Sequence, residues 1–150
     1  NEQWSKFPFA QRLSARLGKP ARLLNDADVQ GFGAIRGRGL ELVITLGTGF
    51  GSALFVDGRL VPNQEIAHHP FDKGQTYEEK LGDAARKKIG KKKWNKRLIK
   101  AIATLEHAFN YDHLYIGGGN AQKIITKLPS NTRIVENVAG LLGGIALWRD

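Results

Sequence analysis

Apolar and polar residues follow each other along this chain with two periods, one typical of helices and one typical of strands. Phe9, Leu13 and Leu17 recur every fourth residue between a proline and a glycine, which predicts a short amphipathic helix. Apolar residues from Leu98 to Phe109 mark one face of a longer helix. Strand-forming runs at 41–46, 52–56 and 59–61 are separated by glycine-containing turns, so we expect a three-stranded antiparallel meander.

The remaining segments predict an α/β protein. A short strand is expected at 21–24, followed by a helix to about residue 36, and an ordered loop is expected at 63–76. Further along, the pattern predicts a helix at 77–89, a strand at 113–116, a helix to about 128, a strand at 132–135 and a helix at about 137–148. From position 41 onward the predicted order is therefore βββα(α)βαβα.

The composition is that of a globular protein. Hydrophobic residues make up 41% of the 150 and charged residues 25%, and no apolar run is long enough for a membrane span. The absence of cysteine excludes disulfides, cysteine-ligated zinc and thiol nucleophiles. The first residues show no secretory leader, which predicts a cytoplasmic protein, and a chain without methionine at position 1 is expected to be a processed or partial product.

The net charge of +9 originates in one segment. Nine lysines and arginines, and no acidic residue, lie between positions 86 and 100, and the 14 other basic residues match the 14 acidic ones. Such a run is either a solvated helix face or a polyanion site that neutralises phosphates and releases counterions. Trp94 lies inside the run and offers a stacking surface, so nucleic acid is one candidate ligand.

Two glycine-rich segments each follow a predicted strand. Glycines at 47, 49 and 51 would let backbone N–H groups hold phosphate oxygens, with the Thr48 hydroxyl as an extra donor; the alternative is a simple hairpin. The glycines at 117–119 precede a predicted helix, where N–H groups favour an anion or a nucleotide; a tight strand-to-helix turn has the same sequence. Neither segment matches the dinucleotide or the Walker fingerprint.

Several polar residues have both a structural and a chemical interpretation. Asp26 follows a predicted strand and precedes a helix, so it is either a helix cap or a carboxylate general base. Glu65 and His68 are either polar loop residues or ligands of sugar hydroxyls, each of which needs a donor and an acceptor. His68, His69 and Asp72 lack the spacing and the further ligand of a metal site, so no protein-held metal is expected.

Four motifs, in order, carry a resemblance to a known family. They read LNDA from position 24, ITLGTGFG from 44, EIAH from 65 and YIGGGN from 115. From position 8 to 148 the chain resembles the ROK family of sugar kinases, and within it the polyphosphate glucokinase branch. The resemblance implies the actin-like, ribonuclease H-like fold, with 37–150 as the second lobe and 1–36 as the terminal helix, strand and helix of a first lobe. The family's Asp-x-Gly-Gly-Thr hairpin and its cysteine cluster for zinc are both missing.

The resemblance also implies a role for each matching residue. Asp26 would accept the proton of the 6-hydroxyl of glucose as it attacks the donor phosphate. The implied sugar ligands are Asn25, Glu65, His68 and Glu78. The implied donor-phosphate ligands are Gly47, Thr48, Gly49, Gly117, Gly118 and Gly119.

The implied reaction is phosphoryl transfer to glucose, with Mg²⁺ bound together with the donor. Inorganic polyphosphate is favoured over ATP because the basic run, represented by Lys91, Lys92 and Lys93, would give a long polyanion a track. The alternatives are an ATP-dependent hexose kinase and an inactive sugar-binding or regulatory protein. The repressors of this family carry a helix-turn-helix that these residues do not show, so nucleic acid is disfavoured. The expected partners are glucose, the donor and a second copy in a homodimer, and without the first lobe we expect this chain alone to be inactive.

Overall fold

The computed structural model describes residues 7–62, 64–136 and 138–148. The strands are β1 (Leu40–Leu46), β2 (Phe50–Val56), β3 (Arg59–Val61), β4 (Pro70–Asp72), β5 (Gln75–Thr76), β6 (His113–Gly117) and β7 (Thr132–Ile134). The α-helices are α1 (Phe9–Leu17), α2 (Asp26–Ala34), α3 (Tyr77–Leu81), α4 (Asp83–Ile89), α5 (Lys91–Phe109) and α6 (Val138–Ala146). Within these ranges no helix is both long and apolar enough to cross a membrane.

The main sheet has five strands in the order β3-β2-β1-β6-β7. β1, β2 and β3 form the expected antiparallel meander, whereas β6 lies parallel to β1 and β7 lies parallel to β6. β1 is a nearly continuous apolar run because both of its faces are covered. Since β1 and β6 are parallel, their carboxyl ends lie at the same edge of the sheet, and both glycine-rich segments start there.

One face of the sheet carries the larger core. The apolar side of α5, including Trp94, Leu98 and Leu105, packs in one cluster with inward residues of β1 and β6 such as Ile44 and Ile116. These five side chains are essentially inaccessible to solvent. Trp94 also donates its Nε1–H to the carbonyl of Leu81 at 2.9 Å, so the stacking surface expected of Trp94 is wrong.

The opposite face is covered by α2, and α6 packs against α2. Val43, Phe55 and Tyr115 form the buried cluster on this side, with Phe32 of α2 packed edge-on against Phe55 at 5.0 Å between ring centroids. α2 and α6 cross with backbone against backbone through two glycines. A methyl group on Gly33 would collide with the carbonyl of Ala139, and one on Gly143 with the carbonyl of Val29.

Three sequence predictions are corrected. No strand forms at 21–24, where Leu23 is exposed and no partner strand is found among the described residues. The single helix predicted at 77–89 is two helices, because Gly82 is extended and the N–H of Asp83 donates to the carbonyls of Gly47 and Thr48. The helix predicted after residue 120 is one 3-10 turn, Ala121–Lys123, so the order βββα(α)βαβα loses that helix.

A side chain explains why the chain after the 3-10 turn needs no helix. Asn95 of α5 is buried, accepts a hydrogen bond from the N–H of Ile125 at 2.9 Å and donates one to the carbonyl of Lys123 at 3.2 Å. These contacts pair backbone groups that a helix would otherwise have to pair. Residue 137, where the last helix was predicted to begin, lies outside the described residues, and α6 covers the rest of that prediction.

The N-terminal region divides into two parts. α1 forms as predicted and ends at Gly18 in the left-handed region, but its apolar residues Phe9, Leu13 and Leu17 remain exposed. α2 packs on the main sheet through buried Ala27 and Gly31. The boundary predicted at residue 36 falls between α2 and β1 and stays a prediction.

Candidate active site

A cavity of about 570 Å³ opens at the edge of the sheet where β1 ends and β2 begins. Ten of the residues singled out in the sequence line it together: Asn25, Asp26, Gly47, Thr48, Gly49, Gly51, Glu65, His68, Glu78 and Gly118. Gly117, Gly119 and Lys91 to Lys93 are not among its lining residues. Residues from five separate segments therefore converge on one opening.

The start of α2 places a carboxylate in this cavity. Asn25 is the N-cap, with its Oδ1 accepting the Ala27 N–H at 2.9 Å, and Asp26 Oδ1 accepts the same N–H at 2.8 Å. The cap position predicted for Asp26 thus belongs to Asn25, whose Nδ2 is left to donate elsewhere. Buried Ala27 fixes the helix start, while Asp26 itself is exposed to the cavity.

Asp28 adds a further acid near this opening. Burial raises the pKa of Asp28, a hydrogen bond involving Asn25 opposes that rise, and the charges of Glu65 and Asp26 reinforce it. Acidic groups from α2 and from the 64–68 loop therefore share one neighbourhood. Even so, no group of three histidine or acidic side chains that could hold a metal ion occurs within the described ranges.

Glu65 and His68 are held by a short 3-10 turn, Ile66–His68. Ile66 and Ala67 are buried under the turn. Ser52 of β2 fixes it by donating its hydroxyl to the Gln64 carbonyl at 2.8 Å and accepting the Ile66 N–H at 3.3 Å. Ser52 also lines the cavity and was not predicted, because its role depends on a contact between β2 and a loop twelve residues later.

Glu78 lies between the sugar-type residues and the glycine loop. α3 begins with a capping box in which Thr76 and Glu79 each bond the other's backbone N–H, at 3.2 and 2.8 Å. This box orients the first turn, and Glu78 Oε2 accepts the Phe50 N–H at 3.4 Å. A methyl group on Gly49 would collide with the Glu78 carboxylate, so a larger residue there would have to displace that side chain.

The glycine loop at 47–49 is fixed through one carbonyl oxygen. The Gly47 carbonyl accepts hydrogen bonds from the Asp83 N–H at 3.1 Å and from Asn120 Nδ2 at 3.0 Å. The Gly47 N–H donates to the Gly49 carbonyl at 3.1 Å. For the N–H groups of Thr48 and Gly49, the described part of the chain offers no hydrogen-bond partner. Two backbone donors therefore remain for an anion.

The second glycine segment packs against the first. Gly118 has φ +84°, and a methyl group there would collide with the backbone of Leu46 at the end of β1. The Asn120 N–H donates to the Leu46 carbonyl at 2.9 Å, which joins the two segments a second time. On the other side, a methyl group on Gly117 would meet the amide of Gln30.

Gln30 is a lining residue that the sequence analysis missed. It lies four residues after Asp26 on α2, so both side chains are on the same side of that helix. This spacing was the signal that could have identified it. Ser52, Thr45, Phe50, Ala67 and Gly140 are the other unpredicted lining residues.

The basic run begins one helical turn from the glycine loop. Lys87 and Arg86 each contact the Asp83 carboxylate at 2.7 Å and hold the pKa of Asp83 at about 2. Lys91, Lys92 and Lys93 form the exposed first turn of α5, which contains no acidic residue. Cations at a helix N-terminus oppose the helix dipole, so this turn is not arranged for helix stability.

Comparisons with known proteins point to one family. The model of the ROK family matches residues 1–71. The polyphosphate glucokinase of Mycobacterium tuberculosis strain H37Rv is 33% identical over 95% of this chain and 60% of its own length. A crystal structure of an inorganic polyphosphate/ATP-glucomannokinase from Arthrobacter sp. strain KM matches with a TM-score of 0.81 at 33% identity, over 99% of this chain and 66% of that one. Residues 1–71 therefore resemble the ROK family, and nearly the whole chain is similar to these two kinases.

A further ROK structure supports the fold. A ROK family glucokinase from Streptomyces griseus, in complex with glucose and AMPPNP, has a TM-score of 0.72 at 16% identity, over 96% of this chain and 73% of that one. At this identity the likeness concerns the fold, and the expected ribonuclease H-like α/β fold is confirmed. The present chain spans about 60% of the length of the M. tuberculosis relative it matches.

Proposed function

We propose that this chain forms the glucose- and donor-binding part of a kinase that transfers a phosphoryl group from inorganic polyphosphate, or from ATP, to the 6-hydroxyl of glucose. The observation that carries the proposal is the single cavity in which an exposed carboxylate, a set of sugar-type polar residues and a glycine loop with two available N–H groups meet. The substrates in this proposal are those in the names of the two relatives given above, a polyphosphate glucokinase and a polyphosphate/ATP-glucomannokinase. Residues 37–150 would be the second lobe, and 1–36 the end of the first.

In this proposal, sugar and donor bind to different sides of the cavity. Asn25, Glu65 and His68 would pair with sugar hydroxyls, since together they offer both donors and acceptors. The N–H groups of Thr48 and Gly49 would hold donor oxygens as negative charge develops on them. Phosphoryl transfer depends mainly on this positioning and charge stabilisation, with Asp26 accepting the proton of the attacking hydroxyl.

Mg²⁺ would arrive with the donor. Mg²⁺ at phosphoryl-transfer sites takes many of its ligands from phosphates and water and needs one or two carboxylates from the protein. The described residues contain no three-ligand cage, which fits that mode of binding. Glu78, implied by the resemblance as a sugar ligand, has its carboxylate at the glycine loop, so in this proposal it would hold the ion rather than the sugar, contrary to the expectation that no side chain binds a metal. The bound ion would neutralise part of the charge on the donor phosphates.

Polyphosphate is the donor that the charge distribution favours. α4 starts at the glycine loop and its seven residues span about 10 Å, at 1.5 Å per residue, before α5 begins. Arg86 and Lys87 stand on α4, and Lys91 to Lys93 continue the positive charge into the first turn of α5. A linear polyanion extending from the loop along these helices would meet basic side chains throughout.

A separate observation favours ATP as a second candidate donor. A cavity of about 560 Å³ shares Gly118 with the candidate active site. Its other lining residues are Ala121, Gln122, Ile134, Val135, Glu136 and Val138. A space with both apolar lining residues and the polar side chains of Gln122 and Glu136, next to the glycine loop, suits a nucleotide base, which is apolar on its faces and polar at its edges.

The test uses a chimera, because this chain spans about two thirds of the Arthrobacter enzyme. Residues 1–150 replace the corresponding part of that enzyme, whose own first third is kept. We expect glucose-dependent transfer from polyphosphate at about 1 s⁻¹ or more, the usual range for kinases. Transfer from ATP alone would favour the second candidate. A folded chimera that binds glucose but uses neither donor would refute the proposal.

A further inference from the structure

A second cavity, of about 410 Å³, is lined by Arg36, Arg38 and His113. These residues precede β1 and begin β6, so the cavity lies at the end of β1 opposite the glycine loop. The six steps from Leu40 to Leu46 cover about 20 Å at 3.3 Å per residue. The second cavity is therefore separate from the candidate active site.

Hydrogen bonds to a buried carboxylate fix the backbone that carries the two arginines. Glu41 is completely buried and accepts the N–H groups of Arg36, Gly37 and Arg38 at 2.8, 2.7 and 3.2 Å. Tyr115 donates its hydroxyl to the same carboxylate at 2.7 Å. Four hydrogen bonds thus satisfy the Glu41 charge internally, and the turn that presents the arginines is held in one position.

The two guanidinium groups have no acidic partner. Within the described ranges the ion pairs involve Lys80, Lys87, Lys100 and Arg86, but neither arginine of this cavity. The nearby acids are occupied by backbone, because Asp112 accepts the Leu40 N–H and Asp57 the Gly39 N–H, both at 2.8 Å. The dipole of α2 accounts for one cation after its C-terminus, and not for a second one two residues later.

We propose that this second cavity binds a phosphate-type oxyanion with at least two negative charges. Two adjacent arginines with planar, forked donors match the oxygens of such an anion in bidentate fashion. His113 completes the lining and supplies a further ring N–H. Both arginines are exposed, so the anion would enter from solvent without any rearrangement of the sheet. The site does not depend on the proposed kinase function.

The experiment titrates the 150-residue chain with inorganic tripolyphosphate and follows the NMR signals of the His113 ring and the arginine Nε–H groups. We expect saturable shifts at these signals. The variant R36Q/R38Q should weaken this binding about tenfold or more, because two charge-assisted contacts are lost. The matched variant R16Q/K19Q removes the same charge from the exposed end of α1 and should keep the affinity.

Two further measurements separate this site from others. R36K/R38K keeps the charge without the forked geometry and should bind with intermediate affinity. The amides of Thr48 and Gly49 report binding at the glycine loop, so a shift there without one at His113 would overturn the inference while leaving the proposed function intact. Equal affinities of R36Q/R38Q and R16Q/K19Q at the His113 signal would also overturn it. Parallel titrations with inorganic phosphate and ATP show whether one phosphate group is enough for binding or a chain of phosphates is needed. Saturable binding of either kind at His113 supports the proposed site.

Discussion

The helices on the two faces of the main sheet differ in how much apolar surface they leave exposed. On the α5 face, Leu98 and Trp94 are fully buried in a large core. On the α2 and α6 face, the outer side of α6 leaves Leu141 74% and Ile145 59% exposed. The first face behaves as the finished interior of a domain, and the second resembles a surface that another layer would cover.

The candidate active site draws on both faces. Glu65, His68 and the glycine loop come from segments anchored to the well-covered side, whereas Asp26 and Gln30 come from α2 on the exposed side. Glu65, His68 and the glycine loop are therefore mounted on the well-covered side, whereas the proposed base Asp26 and the proposed sugar ligand Asn25 both lie at the start of α2, on the more exposed side. This difference makes the contribution of each face separable by experiment.

The largest expected effect is on the activity and the association state of the 150-residue chain alone. We expect the 150-residue chain alone to show no measurable phosphorylation of glucose with either donor, because lobe closure excludes water and aligns the donor with the sugar hydroxyl. We also expect it to self-associate through its exposed apolar face, measured by analytical ultracentrifugation. Turnover of about 1 s⁻¹ by the isolated chain would show that one lobe is sufficient for catalysis. The exposed side of α6 would then need no cover for activity.

A matched pair of substitutions tests the two faces directly. Leu98→Ala should lower the free energy of unfolding by about 2–5 kcal/mol, because it leaves a cavity in a closed core. At a protein concentration at which the chain is monomeric, the same substitution at Leu141, which is 74% exposed, should change it by no more than about 0.5 kcal/mol. Urea denaturation of both variants measures the difference. Equal losses would mean that Leu141 is buried in solution, for example by a second copy of the chain.

The third prediction concerns the base on the exposed side. In the active chimera, Asp26→Asn should lower kcat by about 10² or more while glucose affinity stays nearly unchanged. Folding should also be little affected, since Asn25 rather than Asp26 is the N-cap. Asp28→Asn, which removes the neighbouring acid of the same helix, is the control and should reduce kcat far less. If both variants keep kcat within a few-fold of the parent, Asp26 has only a structural role.

The smallest expected effect lies on the well-covered side. Replacing Lys91, Lys92 and Lys93 by glutamine should raise KM for long polyphosphate several-fold and flatten its salt dependence, because fewer counterions are released. KM for ATP should stay the same. A control that removes three exposed charges outside the basic run, R16Q/K19Q/R59Q, should leave both values unchanged. A parallel rise with both donors would indicate damage to the fold rather than loss of a track.

Sequence reasoning succeeded where local patterns decide structure. The meander at β1 to β3 was predicted because strand-forming runs and an Asp-Gly turn are contiguous in the chain. It failed at 21–24, where a strand would need a partner that the described residues lack. It failed again after residue 120, because Asn95, far away in sequence, pairs the backbone there.

For the site, the motifs located most of the lining residues but not their supports. Ser52, Gln30 and Asn120 act through contacts with loops and turns that only the tertiary structure brings together. Trp94 shows the opposite error, since a tryptophan within a basic run had a plausible exposed role and is instead buried. The type of a residue shows which contacts its side chain can make, and its burial decides whether a ligand can reach it.

The crossing of α2 and α6 has a mechanical consequence. At Gly33 and Gly143 the two backbones touch directly, with no side chain between them to bend or to change rotamer. A close backbone contact of this kind cannot adjust through side chains, so we expect the two helices to move together as one rigid body. Asp26 stands at the end of that unit. A partner that binds the outer side of α6 and shifts that helix would therefore also shift α2. The position of the proposed base Asp26 in the cavity would then depend on a contact made outside the cavity.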